Sequence, residues 1–184
     1  MEYEVVIGLE AHAHMETQTK MFCGCRRAFG SAPNSNVCPV CLGMPGMLPV
    51  INEFCVAQAV RTGLGLKAEI NLRSAFDRKN YFYPDMPKAY QISMYELPLC
   101  EAGWLEVETK GRPRSRIGIT RVHLEEETAK STHAGDHSLV DFNRAGLPLI
   151  EIVTEPDIET PEQAVEFLQI LRLTLMYLGI SDGN

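Results

Sequence analysis

Glu10 and His12 stand two residues apart in Gly8-Leu9-Glu10-Ala11-His12, and His123 and Glu125 repeat that spacing in His123-Leu124-Glu125. On an extended strand, residues two apart project from one face. Glu151 lies inside Leu149-Ile150-Glu151-Ile152-Val153, with apolar residues on both sides. A carboxylate there is costly to bury unless it is paired or holds a metal. Three carboxylates and a histidine on one sheet face can hold Mg²⁺, which takes oxygen ligands and keeps positions open for phosphate oxygens. An ion so held can neutralise charge on a transferring phosphoryl group. Taken singly, His14 and His123 are equally well explained as hydrogen-bonded structural histidines. Glu126 and Glu127, which follow Glu125, are expected to form a solvated charge run.

The cysteines give a second signal. Cys23-x-Cys25 and Cys38-x-x-Cys41 are separated by twelve residues. Four thiolates in two close pairs can close a tetrahedral shell around Zn²⁺, and Pro39 and Gly43 supply the turns that such knuckles need. The alternative is four reduced cysteines that bind nothing; the paired spacing favours zinc. A closed four-cysteine site has no open position, so this zinc would be structural. Cys55 and Cys100 are isolated and read as small core residues.

A third stretch mixes cations with aromatic surfaces: Arg73, then Asp77-Arg78-Lys79-Asn80-Tyr81-Phe82-Tyr83-Pro84-Asp85, then Lys88-Ala89-Tyr90-Gln91. Such a composition suits a phosphate, an adenine ring or an unpaired RNA end. The aromatics are read first as core, whereas Arg78 and Lys79, beside rigid proline loops, are read as functional. The sequence has no GxxxxGK, GxGxxG or GxSxG motif. Any ATP must therefore be held by a sheet and metal ions rather than by a phosphate-binding loop.

These groups need elements to position them. The spacing predicts a strand over residues 4–15, with Glu10, His12 and His14 on one face and Ala11 and Ala13 on the other. An irregular cysteine-rich stretch follows as far as Pro49. Asn52 is expected to cap a helix running through Val56, Ala59 and Val60 toward Gly63 or Gly65. Residues 73–95 read as ordered loops with short strands. Strands are predicted over 103–107 and 116–126, the second with Ile117, Ile119, Arg121, His123 and Glu125 on one face. Residues 138–143 and 147–154 read as a hairpin around Arg144-Ala145-Gly146. Thr160, Pro161 and Gln163 open a helix that buries Ala164, Phe167, Leu168, Leu171, Leu175 and Leu178 and runs to Gly179. The expected class is α+β with a mostly antiparallel sheet.

At 184 residues the chain suits one domain plus a small metal module. Its net charge of −7 makes it a weak non-specific partner for RNA, since phosphate affinity comes from excess cations. No apolar run approaches the roughly eighteen residues that a membrane span needs. The start, MEYEVVIGLE, lacks the basic segment of a secretory signal. A cytoplasmic location is expected. The closing Ser181-Asp182-Gly183-Asn184 reads as a turn, and the sequence is expected to be part of a longer chain.

Together these stretches resemble the B subunit of the tRNA-dependent amidotransferases. The runs that carry the resemblance are Gly8-Leu9-Glu10-x-His12, Lys20-Met21-Phe22-Cys23-x-Cys25, and Cys38-Pro39-x-Cys41-Leu42-Gly43-x-Pro45-Gly46. They continue through residues 77–85, Tyr90-Gln91-Ile92-Ser93, and Ile119-Thr120-Arg121-x-His123-x-Glu125-Glu126. The last is Asp141-Phe142-Asn143-Arg144-Ala145-Gly146-x-Pro148-Leu149-Ile150-Glu151-Ile152-Val153. The resemblance implies a catalytic cradle over residues 1–184, related to the glutamine synthetase fold, with a zinc knuckle at 20–49. It implies ATP-dependent phosphorylation of the side-chain carboxylate of misacylated Glu-tRNA(Gln) or Asp-tRNA(Asn), then attack by ammonia. It also implies an A subunit that hydrolyses glutamine, a small C subunit, and helical and tail segments beyond Asn184 that bind tRNA.

Carried over by position, Glu10, His12, Lys79, Glu125 and Glu151 become the catalytic residues. Glu10, His12, Glu125 and Glu151 would hold Mg²⁺, while Arg78, Lys79, Tyr81, Arg121 and His123 would contact the nucleotide. Cys23, Cys25, Cys38 and Cys41 would hold Zn²⁺. Some positions depart from the pattern: His14 and Met94 stand where glutamines are usual, and Glu127-Thr128-Ala129-Lys130 replaces an Asp-Ala-Gly-Lys run. Two readings from other classes compete: a zinc-stabilised binding module without catalysis, and a metal-dependent hydrolase using the same carboxylates.

Overall fold

The structure is a computed structural model that describes residues 3–183. Met1 and Glu2 of the acidic start and Asn184 of the expected terminal turn lie outside them. In chain order the elements are β1 (Glu10–His14), α1 (Glu53–Gly65), β2 (Glu69–Ile70), β3 (Asp77–Asn80), β4 (Tyr90–Ser93) and β5 (Cys100–Val107). Then come β6 (Ser115–Glu126), β7 (Lys130–Ala134), β8 (His137–Asp141), β9 (Pro148–Thr154) and α2 (Pro161–Tyr177). One sheet has the order β1-β9-β6-β5-β2, and β3–β4 and β7–β8 are separate hairpins. All these pairings are antiparallel, so the expected α+β class holds.

The helices start where side chains can satisfy their free N–H groups. The Asn52 side-chain oxygen accepts the Phe54 N–H at 3.0 Å at the start of α1. At the start of α2, Thr160 Oγ1 accepts the Gln163 N–H and Gln163 Oε1 accepts the Thr160 N–H, with Pro161 opening the first turn. Phe167, Leu171 and Leu175 then bury one stripe in the core. Leu168, expected on that stripe, sits one residue round the helix and is largely exposed. In the core the stripe joins Ile150 and Ile152 of β9 with Val122 and Leu124 of β6.

Three expectations need correction. The strand expected over 4–15 forms only from Glu10. The Thr154 hydroxyl takes the Leu9 N–H at 2.9 Å and ends the ladder there, leaving an isolated bridge between Ile7 and Ile158. The expected 138–154 hairpin does not form either. β8 pairs with β7 across a turn in which Gly135 takes φ 68, while β9 enters the main sheet between β1 and β6. The burial of the two strands explains the choice: β8 is mostly exposed, whereas nearly all of β9 is buried and suits a central position.

The third correction bears on the site. Ile117 and Ile119 do not share a face with Arg121, His123 and Glu125; they share the core with Val122 and Leu124. The pairing of β6 with β9 slips by one residue between Ile119 and Arg121, leaving Thr120 as the extra residue of a bulge. On the other side of β6, Ala102 of β5 lies opposite Thr120 and takes φ 53, so the two strands change phase together. Replacing Thr160 with Ala removes one half of the capping box. It should cost about 1 kcal/mol of stability, read as a lower urea midpoint with an unchanged slope; an unchanged midpoint would refute the role assigned to the cap.

Candidate functional site

Strand register builds the site. β9 lies between β1 and β6, so His12 and His123 both stand opposite Glu151. Glu10 and Arg121 stand opposite Val153, and His14 and Glu125 opposite Leu149. Directly opposed residues share a face. One face therefore gathers Glu10, His12, Glu151, Arg121, His123 and Glu125, and the other packs into the core.

The separations are short. His12 Nε2 lies 3.0 Å from Glu151 Oε2, 3.5 Å from Glu125 Oε2 and 3.7 Å from Glu10 Oε1. His123 Nε2 lies 3.4 Å from Glu151 Oε2 and 3.8 Å from Glu125 Oε1. Ligand atoms of Glu10, His12 and Glu151 fall within 4.8 Å of one another, as do those of His123, Glu125 and Glu151. The two sets share Glu151, so this donor set can hold a divalent cation and offers a carboxylate that can bridge two.

Glu125 and Glu151 are only 3% and 4% exposed, whereas Glu10 and His12 face solvent. Polar partners fix Glu125. The Ser93 hydroxyl donates to its Oε1 at 2.5 Å, the Gln91 amide to its Oε2 at 3.4 Å, and Lys79 Nζ lies 3.9 Å away. Arg121 lies 4.0 Å from Glu151 Oε1. The carboxylates Glu125 and Glu151 raise the His12 pKa to about 10. Burial pulls His123 down, but the same carboxylates outweigh it and raise it overall. For Glu125 and Glu151, burial opposes ionisation, yet His12 and His123 hold both below the usual carboxylate range.

A cleft of about 390 Å³ opens on this face. Glu10, Glu125, Glu151 and His123 line it, with Arg78, Lys79 and Arg121 as its cations. Tyr81 lies outside the lining and packs on Tyr83 at 4.9 Å. Sequence reasoning missed Ser93 and Gln91, whose contacts depend on the β3–β4 hairpin leaning on β6. It also misread the acids after Glu125. Glu126 is buried, pairs with the Lys88 ammonium and accepts the Ile92 N–H at 3.0 Å. Glu127 meets His14 at 3.0 Å. Neither belongs to a solvated run: β4 and the turn before β9 cover the strand end, burying Glu126 and leaving Glu127 partly exposed but paired.

The four cysteines also converge. Ligand sulfurs of Cys23, Cys25, Cys38 and Cys41 lie within 4.8 Å of one another, a spread compatible with one tetrahedral ion. The Cys38 N–H donates to Cys41 Sγ at 3.1 Å. Cys55 and Cys100 are buried singly, as expected. No helix among the described residues is long and apolar enough to cross a membrane.

Fold and cleft together define an α+β domain whose cleft sets buried carboxylates and a histidine beside Arg78, Lys79 and Arg121. The model of the GatB/GatE catalytic domain matches residues 5–184. The chain belongs to that family. It is 59% identical over 183 residues to the B subunit of the aspartyl/glutamyl-tRNA(Asn/Gln) amidotransferase of Caldanaerobacter subterraneus subsp. tengcongensis, covering 99% of this chain and 38% of the relative. It is 56% identical over 189 residues to the protein of the same name from Geotalea daltonii, covering 100% of this chain and 39% of the relative. The chain thus spans about two fifths of the length of these relatives.

The His12 shift has a consequence in the metal-free protein. Its folded pKa of about 10 exceeds the unfolded value of 6.5, so protonation of His12 contributes stability that is fully present below pH 6.5 while Glu125 and Glu151 stay ionised. That contribution is lost as pH rises through about 10. The His12 ring resonances should titrate near 10 by NMR. Added Mn²⁺, which needs the neutral ring, should release protons at about pH 7. Titration near 6.5 would contradict the contacts of His12 with Glu125 and Glu151.

Proposed function

We propose that this chain is the carboxylate-activating part of the B subunit of a tRNA-dependent amidotransferase, a catalytic cradle of the glutamine synthetase type. The reading is carried by one observation: the opposed row His12–Glu151–His123, whose Glu151 and His123 line, with Glu10 and Glu125, a cleft that also holds Lys79, Arg78 and Arg121. The family membership and the names of the relatives support it.

The substrate is a glutamate or aspartate esterified to tRNA(Gln) or tRNA(Asn). Its carboxylate is a poor acyl electrophile. A carboxylate oxygen attacks the γ-phosphorus of ATP, and the bond to the departing ADP breaks. Ammonia then attacks the activated carbonyl carbon, phosphate leaves, and the nitrogen loses a proton to give the amide. Glu10, His12, Glu125 and Glu151 would hold Mg²⁺, which fits the oxygen-rich donor set and would supply charge neutralisation between two polyanions. Lys79, Arg78 and Arg121 bind phosphate oxygens from the rim. His123, Ser93 and Gln91 keep the buried carboxylates aimed.

The chain has no nucleophile motif for releasing ammonia from glutamine, so an A subunit supplies it, and a small C subunit holds the pair together. The net charge of −7 supports a reading in which other segments or chains hold the tRNA body. Zn²⁺ in the knuckle over 20–49 is structural, and the enzyme works in the cytoplasm. In the complete complex, Glu125→Gln and Glu10→Ala should lower amidation by about 10² to 10³. The partner's glutaminase chemistry should persist, and phosphate transfer from labelled ATP should fall in step with amidation. Full amidation by both variants would overturn the assignment, and hydrolysed aminoacyl-tRNA without ATP turnover would favour a hydrolase. Protein purified without chelator should contain about one zinc per chain by elemental analysis; none would defeat the knuckle reading.

A further inference from the structure

Lys20 is among the largest side chains with no exposed surface in the described residues. Its ammonium donates to the Asn36 carbonyl at 3.1 Å, to the Phe142 carbonyl at 3.4 Å, and to Cys41 Sγ at 3.7 Å. A charge withdrawn from water is unfavourable by several kcal/mol unless an opposite charge and full hydrogen bonding compensate it. The two carbonyls are only dipoles. Among the described residues Lys20 forms no ion pair with a carboxylate. The Asp141 carboxylate feels its charge without pairing with it, and the charged group that the ammonium touches is the Cys41 sulfur.

The cysteine cluster has the complementary problem. Four thiolates around one Zn²⁺ leave two negative charges in excess, in a partly buried setting. We infer that Lys20 is the counter-charge of this metal centre, a positioning residue that neutralises part of the excess. The same ammonium ties together three segments: the one leading to Cys23, the one leading to Cys38, and the turn after β8. This inference rests on the cysteine cluster being a zinc site.

The test is zinc retention in the assembled enzyme, read as the rate of release to excess chelator. Lys20→Met keeps the stem without charge, Lys20→Gln keeps a donor without charge, and Lys20→Arg keeps the charge. Met and Gln should release zinc about tenfold faster or more, the scale of losing a group that supports a ligand. Arg should stay nearer the unaltered protein. A packing role would be met by Met and a hydrogen-bonding role by Gln, so normal retention in both overturns the inference. If the unaltered protein holds no zinc, the zinc reading itself fails, which is a different result. Should the variants not fold, amine-acylating reagent and mass spectrometry decide with the unaltered enzyme. Lys20 should be protected while zinc is bound and become modified on chelation; equal modification in both states overturns the role.

Discussion

Two carboxylates with almost no access to water, Glu125 and Glu151, set the terms for the rest of the domain. Their ligand oxygens lie within 4.8 Å, where like charges repel by on the order of 3 kcal/mol at an effective dielectric of about 20. Burial adds its own cost. The structure answers with donors from three directions: His12 from β1, His123 from β6 itself, and Ser93, Gln91 and Lys79 from the β3–β4 hairpin. Imidazolium protons can stand where metal cations would, which is why both histidines are raised and both acids lowered. Such a cluster is organised before any ligand arrives, so little reorganisation is needed when charge is brought in.

That cluster exists only because β6 changes phase. Side chains alternate with period two, so without the extra residue at Thr120 a strand that buries Ile117 and Ile119 would also bury Arg121, His123 and Glu125 in the core. Val122 and Leu124 would then face the cleft. The paired irregularity at Ala102 lets β5 follow the change without losing register, and Cys100 stays buried on the same side as Leu105 and Val107. One inserted residue therefore serves both the apolar core below and the polar face above.

The sequence made the helices, the antiparallel class and the spacing of the functional pairs legible because each rests on local chemistry. Thr160 and Gln163 make the capping box from adjacent side chains, and Glu10 and His12 need only strand geometry to share a face. What stayed hidden depends on distant partners. The bulge at Thr120 leaves no compositional mark, since Ile117 through Glu125 alternate plausibly either way. β8 and β9 flank a good turn, so only knowledge of β1 and β6 separates them. Glu126 reads as solvated until Lys88 and the Ile92 amide are brought against it from another hairpin.

The departures that the resemblance leads one to expect follow the same logic of partners. His14 and Glu127 both replace the expected types, and they meet at 3.0 Å across two strand ends, with the Arg144 guanidinium 3.9 Å from Glu127. The two replacements form one contact, so neither has an isolated effect to interpret. The expected glycine at position 129 is not needed for a left-handed turn either. Ala129 is absent from the positive-φ residues, is buried, and donates its N–H to the Asp85 carbonyl at 2.8 Å, while Arg144 binds the Ala129 carbonyl. A methyl group fits there because Ala129 does not take the positive φ that favours glycine, and distant partners hold its backbone. Position by position these residues look like losses from a motif; as contacts they keep the end of β6 closed, with Glu125 presented to the cleft.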